Sequence, residues 1–192
     1  MSSQTEVAEI LYSKIRSIGT KKIRADIALN VNTSQEYIHN ILSECIEKLN
    51  LRSKFLDDKD DKRIAVLAEA LLHFMLTAST LPSQRKIAIK DKLSIDVIVP
   101  SFQTLKIDPD KSIIVQFIND ILDLNKISEL ELLQPNYKNI WLIYTKELVP
   151  MKKYMSYGIS SNTLSHNSYS NIIIDIDKFL KDQRDKSLRF FH

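Results

Sequence analysis

The chain has 192 residues, 44% of them hydrophobic and 27% charged, with a formal net charge of +3. These proportions suit one domain or two small ones and exclude general disorder, while the mild basicity permits a polyanionic partner without requiring it. Cys45 is the only cysteine and Gly19 and Gly158 the only glycines. Disulfides, cysteine-built metal centres, phosphate-cradling glycine loops and dinucleotide fingerprints are therefore excluded.

Met1 to Glu6 lacks the apolar stretch of a signal peptide. The longest apolar run, Ile64 to Ala78, carries Glu69 and His73 and is shorter than the roughly 20 residues of a membrane span. A cytoplasmic protein with no membrane partner is expected. Val7, Ile10, Leu11, Ile15 and Ile18 keep helical spacing, and Gly19 follows as a C-cap. A shorter helix fits Ile23 to Leu29, then a polar turn, Asn30 to Thr33, anchored by Val31. Thr33 and Glu36 have capping-box spacing, which predicts a third helix reaching about Leu49, with Cys45 in its core face. Arg52 to Leu56 and Lys62 to Val66, around the polar tip Asp57 to Asp61, predict a hairpin.

Helix, short helix, four-residue turn, capped helix and hairpin resemble the winged helix-turn-helix family, with Ile23 to Leu42 matching in register. The match covers residues 5 to about 66, and a first domain is placed at 1–66 with a second at 67–192. The resemblance implies DNA as partner, read in the major groove by Ser34, Gln35, His39, Asn40 and Ser43. It also implies phosphate contacts from Lys21, Lys22 and Arg24 and from the wing residues Lys54, Lys62 and Arg63. Residues 1–62 hold ten Lys plus Arg against ten Asp plus Glu, however. That neutrality keeps open a protein partner or a homodimer in place of nucleic acid.

Leu67, Leu71, Leu72 and Met75 predict a helix over residues 62–80 that competes with the wing for Lys62 to Val66 and takes over by Leu67. Strands are predicted at Lys86–Lys90, Leu93–Val99, Ser112–Phe117, Asn139–Tyr144 and Asn171–Ile176. Helices are predicted at Asp120–Leu133 with a break near Asn125, at Glu147–Tyr157, and at Lys178–Phe191. Ser160 to Ser170 is a polar loop. The fold class is thus α+β or α/β, a helical domain followed by a mixed sheet.

That order is similar, by topology over about residues 63–180, to the restriction-endonuclease-like superfamily, the PD-(D/E)xK nucleases. The resemblance implies an Asp on the second strand and a D/E-x-K triplet on the third, which together hold a divalent metal and activate water. Asp96 falls at the first position, but the triplet reads Gln116-Phe117-Ile118. The literal match Asp57-Asp58-Lys59 lies in the expected wing tip. No catalytic residue, metal or cofactor is therefore expected, and the chain reads as a pseudonuclease: a non-enzymatic, DNA-binding regulator or accessory factor. The Ile- and Lys-rich, Gly-poor composition is compatible with an archaeal origin. An alternative is a divergent nuclease recruiting Asp96, Asp110 and either Glu131 or Asp120 for metal. Asp175 and Asp177 could pair on a strand face, His73 suits a core or interface position, Trp141 suits the core, and Phe190-Phe191 suits a docking tail.

Overall fold

The computed structural model describes residues 3–52, 58–90, 93–119, 121–145, 151–159 and 167–189. Helix α1 (Ser3–Ile18) and helix α2 (Thr20–Leu29) abut at Gly19, whose φ of +98° is costly for any residue with a Cβ. The Gly19 amide donates to Ile15 O at 3.0 Å and its carbonyl accepts from Ile23 N at 3.1 Å, so one residue closes the first helix and opens the second. Helix α3 (Thr33–Arg52) begins differently from the expected capping box. Thr33 Oγ1 donates to Asn30 O at 2.8 Å, and Asn30 Oδ1 accepts from Asn32 N at 3.0 Å, so an Asx turn makes the corner.

The expected wing is replaced by helix α4 (Asp58–Ala78), which includes Lys62 to Val66. Ala65, Ala68 and Leu72 are buried at steps of three and four, as are Leu71, Met75 and Ala78. A strand would have put Ala65 and Ala68 on opposite faces, so burial selects the helix. Lys54, Asp57 and the other expected wing residues at 53–57 lie outside the described residues.

Strands β1 (Gln84–Lys90), β2 (Leu93–Val99), β3 (Ile113–Ile118), β4 (Ile140–Tyr144), β5 (Met155–Gly158) and β6 (Asn167–Ser168) form one sheet in sequential order. The first two neighbouring pairs are antiparallel and the remaining three parallel. Helix α5 (Phe102–Ile107), not anticipated, is capped by Ser101 Oγ, which accepts from Thr104 N at 3.1 Å. Helix α6 (Ile121–Glu131) runs without the expected break.

Two expectations near the C-terminus fail. Met155 to Gly158 is strand β5 rather than the end of a helix, and Ile172–Arg189 is helix α7 rather than a strand followed by a helix. Ile172, Ile173 and Ile176 are buried, with Phe179 and Leu180 packed against the same core, a spacing of 1, 3, 3 and 1 that only a helix places on one face.

The sheet is covered on both faces. One cluster joins Val7, Leu11, Ile41, Leu71 and Ile173 to Val97, Val115 and Trp141. The other gathers Leu105, Ile127 and Leu130 over Ile98, Ile114, Ile118 and Leu142. The N-terminal helices therefore share a continuous core with the sheet. Tyr169, in a 3₁₀ turn at Tyr169–Asn171, donates its hydroxyl to Ala68 O at 2.7 Å and fastens the C-terminal segment to α4.

Candidate active site

Strand β3 alternates Ile113, Val115 and Phe117 into one core and Ile114 and Ile118 into the other. Gln116 takes the second-face position between those isoleucines and is buried. The β2–β3 ladder runs Val99↔Ile113, Ile98↔Ile114 and Val97↔Val115, so continuing it would set Asp96 opposite Gln116. There the backbone pairing gives way to side chains. Asp96 Oδ2 accepts from Phe117 N at 2.9 Å and Gln116 Nε2 at 2.7 Å, while Gln116 Oε1 accepts from Asp96 N at 3.3 Å. The strands part at Asp96, and carboxylate and amide satisfy the groups left between them.

The β1–β2 register, Arg85↔Val97 and Ile87↔Ile95, sets Lys86 opposite Asp96. Lys86 Nζ lies 3.0 Å from Asp96 Oδ1 and 2.8 Å from Glu69 Oε2 of helix α4. Arg85 completes the cluster, 3.0 Å from Glu69 Oε1. Lys86, Asp96 and Gln116 thus form one row across three strands, with Glu69 reaching down from the helix.

Burial pushes the Asp96 carboxyl above the usual range, against the opposing pull of the Phe117 amide and the Lys86 ammonium. Burial works against the charge of Lys86, but hydrogen bonds to Glu69 and Asp96 outweigh it and raise the lysine's pKa. His73, one turn beyond Glu69, is exposed rather than in the core. Its imidazole is held below its ordinary pKa by partial burial and by the Arg85 charge.

Two carboxylates converging on one cationic position are a donor set that fits a hard divalent ion of the Mg²⁺ type. No group of three or more acidic, histidine or cysteine ligands occurs among the described residues. Mg²⁺ is commonly held by one or two carboxylates, with waters and substrate phosphates filling its octahedron, so the pair is sufficient.

The other acidic candidates are not brought here. Asp110 accepts from Asn136 Nδ2 at 2.9 Å in the turn that precedes β3. Glu131 is engaged by Lys153 and by Tyr154 Oη, and Asp120 lies outside the described residues. Asp175 and Asp177 sit on helix α7, not a strand, and diverge: Asp175 accepts from Tyr157 Oη at 2.8 Å and Asp177 pairs with Lys181 at 2.6 Å. Trp141 is in the core as expected, and its indole N–H donates to Lys138 O at 3.1 Å. Phe190 and Phe191 lie outside the described residues.

The candidate DNA contacts of the N-terminal helices divide. Lys21, Arg24, Gln35, His39, Asn40, Ser43 and Lys62 are exposed. Ser34 is fully buried and so is unable to reach a base edge. Lys22 pairs with Asp26 at 2.6 Å, and Arg63 pairs with Glu6 at 2.6 Å. Helix α3 packs on the Tyr169–Asn171 turn and on α7, and His39 and Ser43 line a crevice with Ser168 and Tyr169. It packs into the larger body while Gln35, His39 and Asn40 remain exposed.

An α/β body in which a β1–β3 antiparallel unit continues into parallel strands, with an acidic centre where the second and third strands part, is the restriction-endonuclease-like fold. Two solved structures share it. The chain matches restriction endonuclease PspGI in a substrate-DNA complex with a TM-score of 0.57 and 14% identity, over 92% of this chain and 93% of that one. It matches metal-depleted Ecl18kI, in complex with uncleaved, modified DNA, with a TM-score of 0.58 and 11% identity, over 94% of this chain and 84% of that one. No protein-family model matches the sequence, and no curated protein matches it either.

The expectation of a non-enzyme is overturned. The proteins that share the fold from end to end are endonucleases, and they share it through the helices read above as a separate winged domain. The inference from Gln116 and Ile118 assumed that lysine and second carboxylate must come from β3. Here a lysine comes from β1 and a carboxylate from α4. Sequence reading missed both. Glu69 had one visible signal, as the lone carboxylate inside the apolar run Ile64–Ala78. Lys86 had none, because an alternating Lys-Ile-Ala-Ile-Lys strand gives every lysine the appearance of a solvated edge.

Proposed function

We propose that this protein is a divalent-metal-dependent nuclease that hydrolyses phosphodiester bonds in DNA. The observation that carries the reading is the Lys86 ammonium held between Glu69 and Asp96 at the point where β2 and β3 part. When bound, the metal supplies charge to the phosphate and acidifies a water molecule. Asp96 and Glu69 would hold it through oxygen, and Gln116 with the Phe117 amide fixes the orientation of the Asp96 carboxylate. With that ion bound by the two carboxylates, Lys86 would be free to offer its ammonium to a non-bridging phosphate oxygen and to the attacking water. Arg85, on a neighbouring position of β1 and part-exposed, grips the adjacent phosphate. Exposed Lys21, Arg24, Gln35 and Asn40 support further contact with the duplex from α2 and α3.

The test is incubation of the full chain with supercoiled plasmid and phage genomic DNA in Mg²⁺ or Mn²⁺, beside Asp96→Asn and Lys86→Ala. Cleavage that needs metal and is lost in both variants supports the reading. Intact DNA in both metals overturns it. Anisotropy of a labelled duplex in chelator, at two salt concentrations, separates binding from cleavage, because phosphate contacts weaken steeply with salt.

A further inference from the structure

A second feature lies on the far side of the sheet, where β5 is three strands across from β2. The 3₁₀ turn Tyr137–Asn139 enters β4, and residues 151–154 enter β5 beside it, with Trp141 in register with Met155. Between these entries opens a cleft of ≈ 720 Å³, lined by Tyr137, Lys138, Lys152, Lys153, Tyr154 and Met155.

The walls have a definite order. Lys153 Nζ sits 5.4 Å from the Tyr137 ring centroid and 5.6 Å from that of Tyr154, so the ammonium is held between two aromatic rings. Glu131 accepts from Lys153 and from Tyr154 Oη, which neutralises that lysine and fixes the second tyrosine. Lys138 and Lys152 are exposed, and no ion pair with a described residue takes up either ammonium. Tyr137 is 42% exposed and Met155 38% exposed, large apolar surfaces that a folded chain normally covers.

We propose that this cleft binds a nucleotide unit whose base is unpaired, with the base stacked on Tyr137 and its phosphate held by Lys138 and Lys152. Flat aromatic and thioether surface next to two cations that pair with no described residue matches a π-face joined to a phosphate. An acidic peptide would use the lysines and leave the tyrosine face bare. Duplex DNA would offer phosphates without a free base. The source is either a single strand or a free mononucleotide.

The experiment uses the full chain in chelator, so that cleavage plays no part, and follows the anisotropy of a short labelled oligothymidylate. Lys138→Ala with Lys152→Ala, and separately Tyr137→Ala, should each weaken binding by about tenfold. Unlabelled duplex should not displace the strand. Competition by thymidine 5′-monophosphate would identify a free nucleotide as a sufficient ligand; its failure would assign the cleft to a strand. On the unmodified chain, 5-iododeoxyuridine should crosslink to Tyr137 or Tyr154. No binding, equal affinity in the variants, full displacement by duplex, or crosslinks confined to other residues would each overturn the proposal.

Discussion

The Lys86 ammonium reaches Asp96 Oδ1 at 3.0 Å from a backbone with φ of +52°, a left-handed conformation inside a strand. Lysine pays a steric penalty there that glycine does not, of about 1–3 kcal/mol for such outliers. The side chain's role and the backbone's strain are separable. Lys86→Ala and Lys86→Gly should both lower cleavage by about 100- to 1,000-fold. Chemical denaturation should find the glycine variant more stable than the alanine variant by about 1 kcal/mol. Equal activity of the two variants and the unmodified chain would remove Lys86 from the chemistry.

Gln116 stands where the fold's resemblance asks for an acid, and its amide donates to Asp96 Oδ2 at 2.7 Å. Gln116→Glu replaces that donor with a second buried negative charge. In chelator the melting temperature should fall, and millimolar Mg²⁺ should restore it by more than it shifts the unmodified chain. Calorimetry with and without metal reads the difference. A melting temperature indifferent to metal in this variant would argue against an ion at the site.

Asp96 also sets a pH signature. Its folded pKa is raised above the ordinary 3.8 by burial. The folded state therefore holds the proton more tightly, and the stability this gives is present at low pH and lost as pH rises through the folded value. Asparagine does not titrate. The melting temperature of Asp96→Asn relative to the unmodified chain should thus climb in chelator as pH rises from the ordinary 3.8 through the raised folded value. A flat difference would mean that burial does not raise this carboxyl's pKa.

Cys45, fully buried among α1, α3 and α4, has its thiol pushed up to about 11 by burial. Thiolate is scarce, so iodoacetamide should label the native chain far more slowly than the unfolded one at mildly alkaline pH. By the same linkage, the stability contributed by this proton is complete below the ordinary 9.0 and is lost as pH rises through about 11. Mass spectrometry of timed quenches measures the labelling.

Tyr169 is buried and bonds Ala68 O on the helix that carries Glu69. Tyr169→Phe removes one hydrogen bond and keeps the packing, at a cost of about 1 kcal/mol. Cleavage should fall less than in any variant at Lys86 or Asp96. A larger loss of activity than of stability would show that the tether also positions Glu69.

The central strands were legible because short continuous apolar runs such as Ile113 to Val115 and Ile140 to Ile143 have few other resting places. The same logic misled at Ile172 to Ile174, where three β-branched residues read as a strand. The deciding signal lay downstream, in Phe179 and Leu180, whose spacing from Ile172, Ile173 and Ile176 is helical. The wing failed for a related reason: Lys62 to Val66 is only five residues, too short a window to separate the two periods. Asp96 and Gln116 were legible as members of two successive strands, but their facing register was not. Lys86 and Glu69 depend on how a hairpin and a helix lie across the sheet, which no local pattern encodes.

The Asp96 carboxylate accepts from the Phe117 backbone amide and from Gln116 where the strands part, whereas Lys86 meets it only through its side chain and Glu69 only by way of Lys86. An aspartate or asparagine at that place is demanded by the architecture whether or not the protein cuts anything. A descendant that abandoned catalysis would keep residue 96 to hold the sheet closed and would be free to shed the lysine and the glutamate. In comparing related chains, retention of the ion pair is therefore the informative mark of a working enzyme, and retention of the aspartate alone is not.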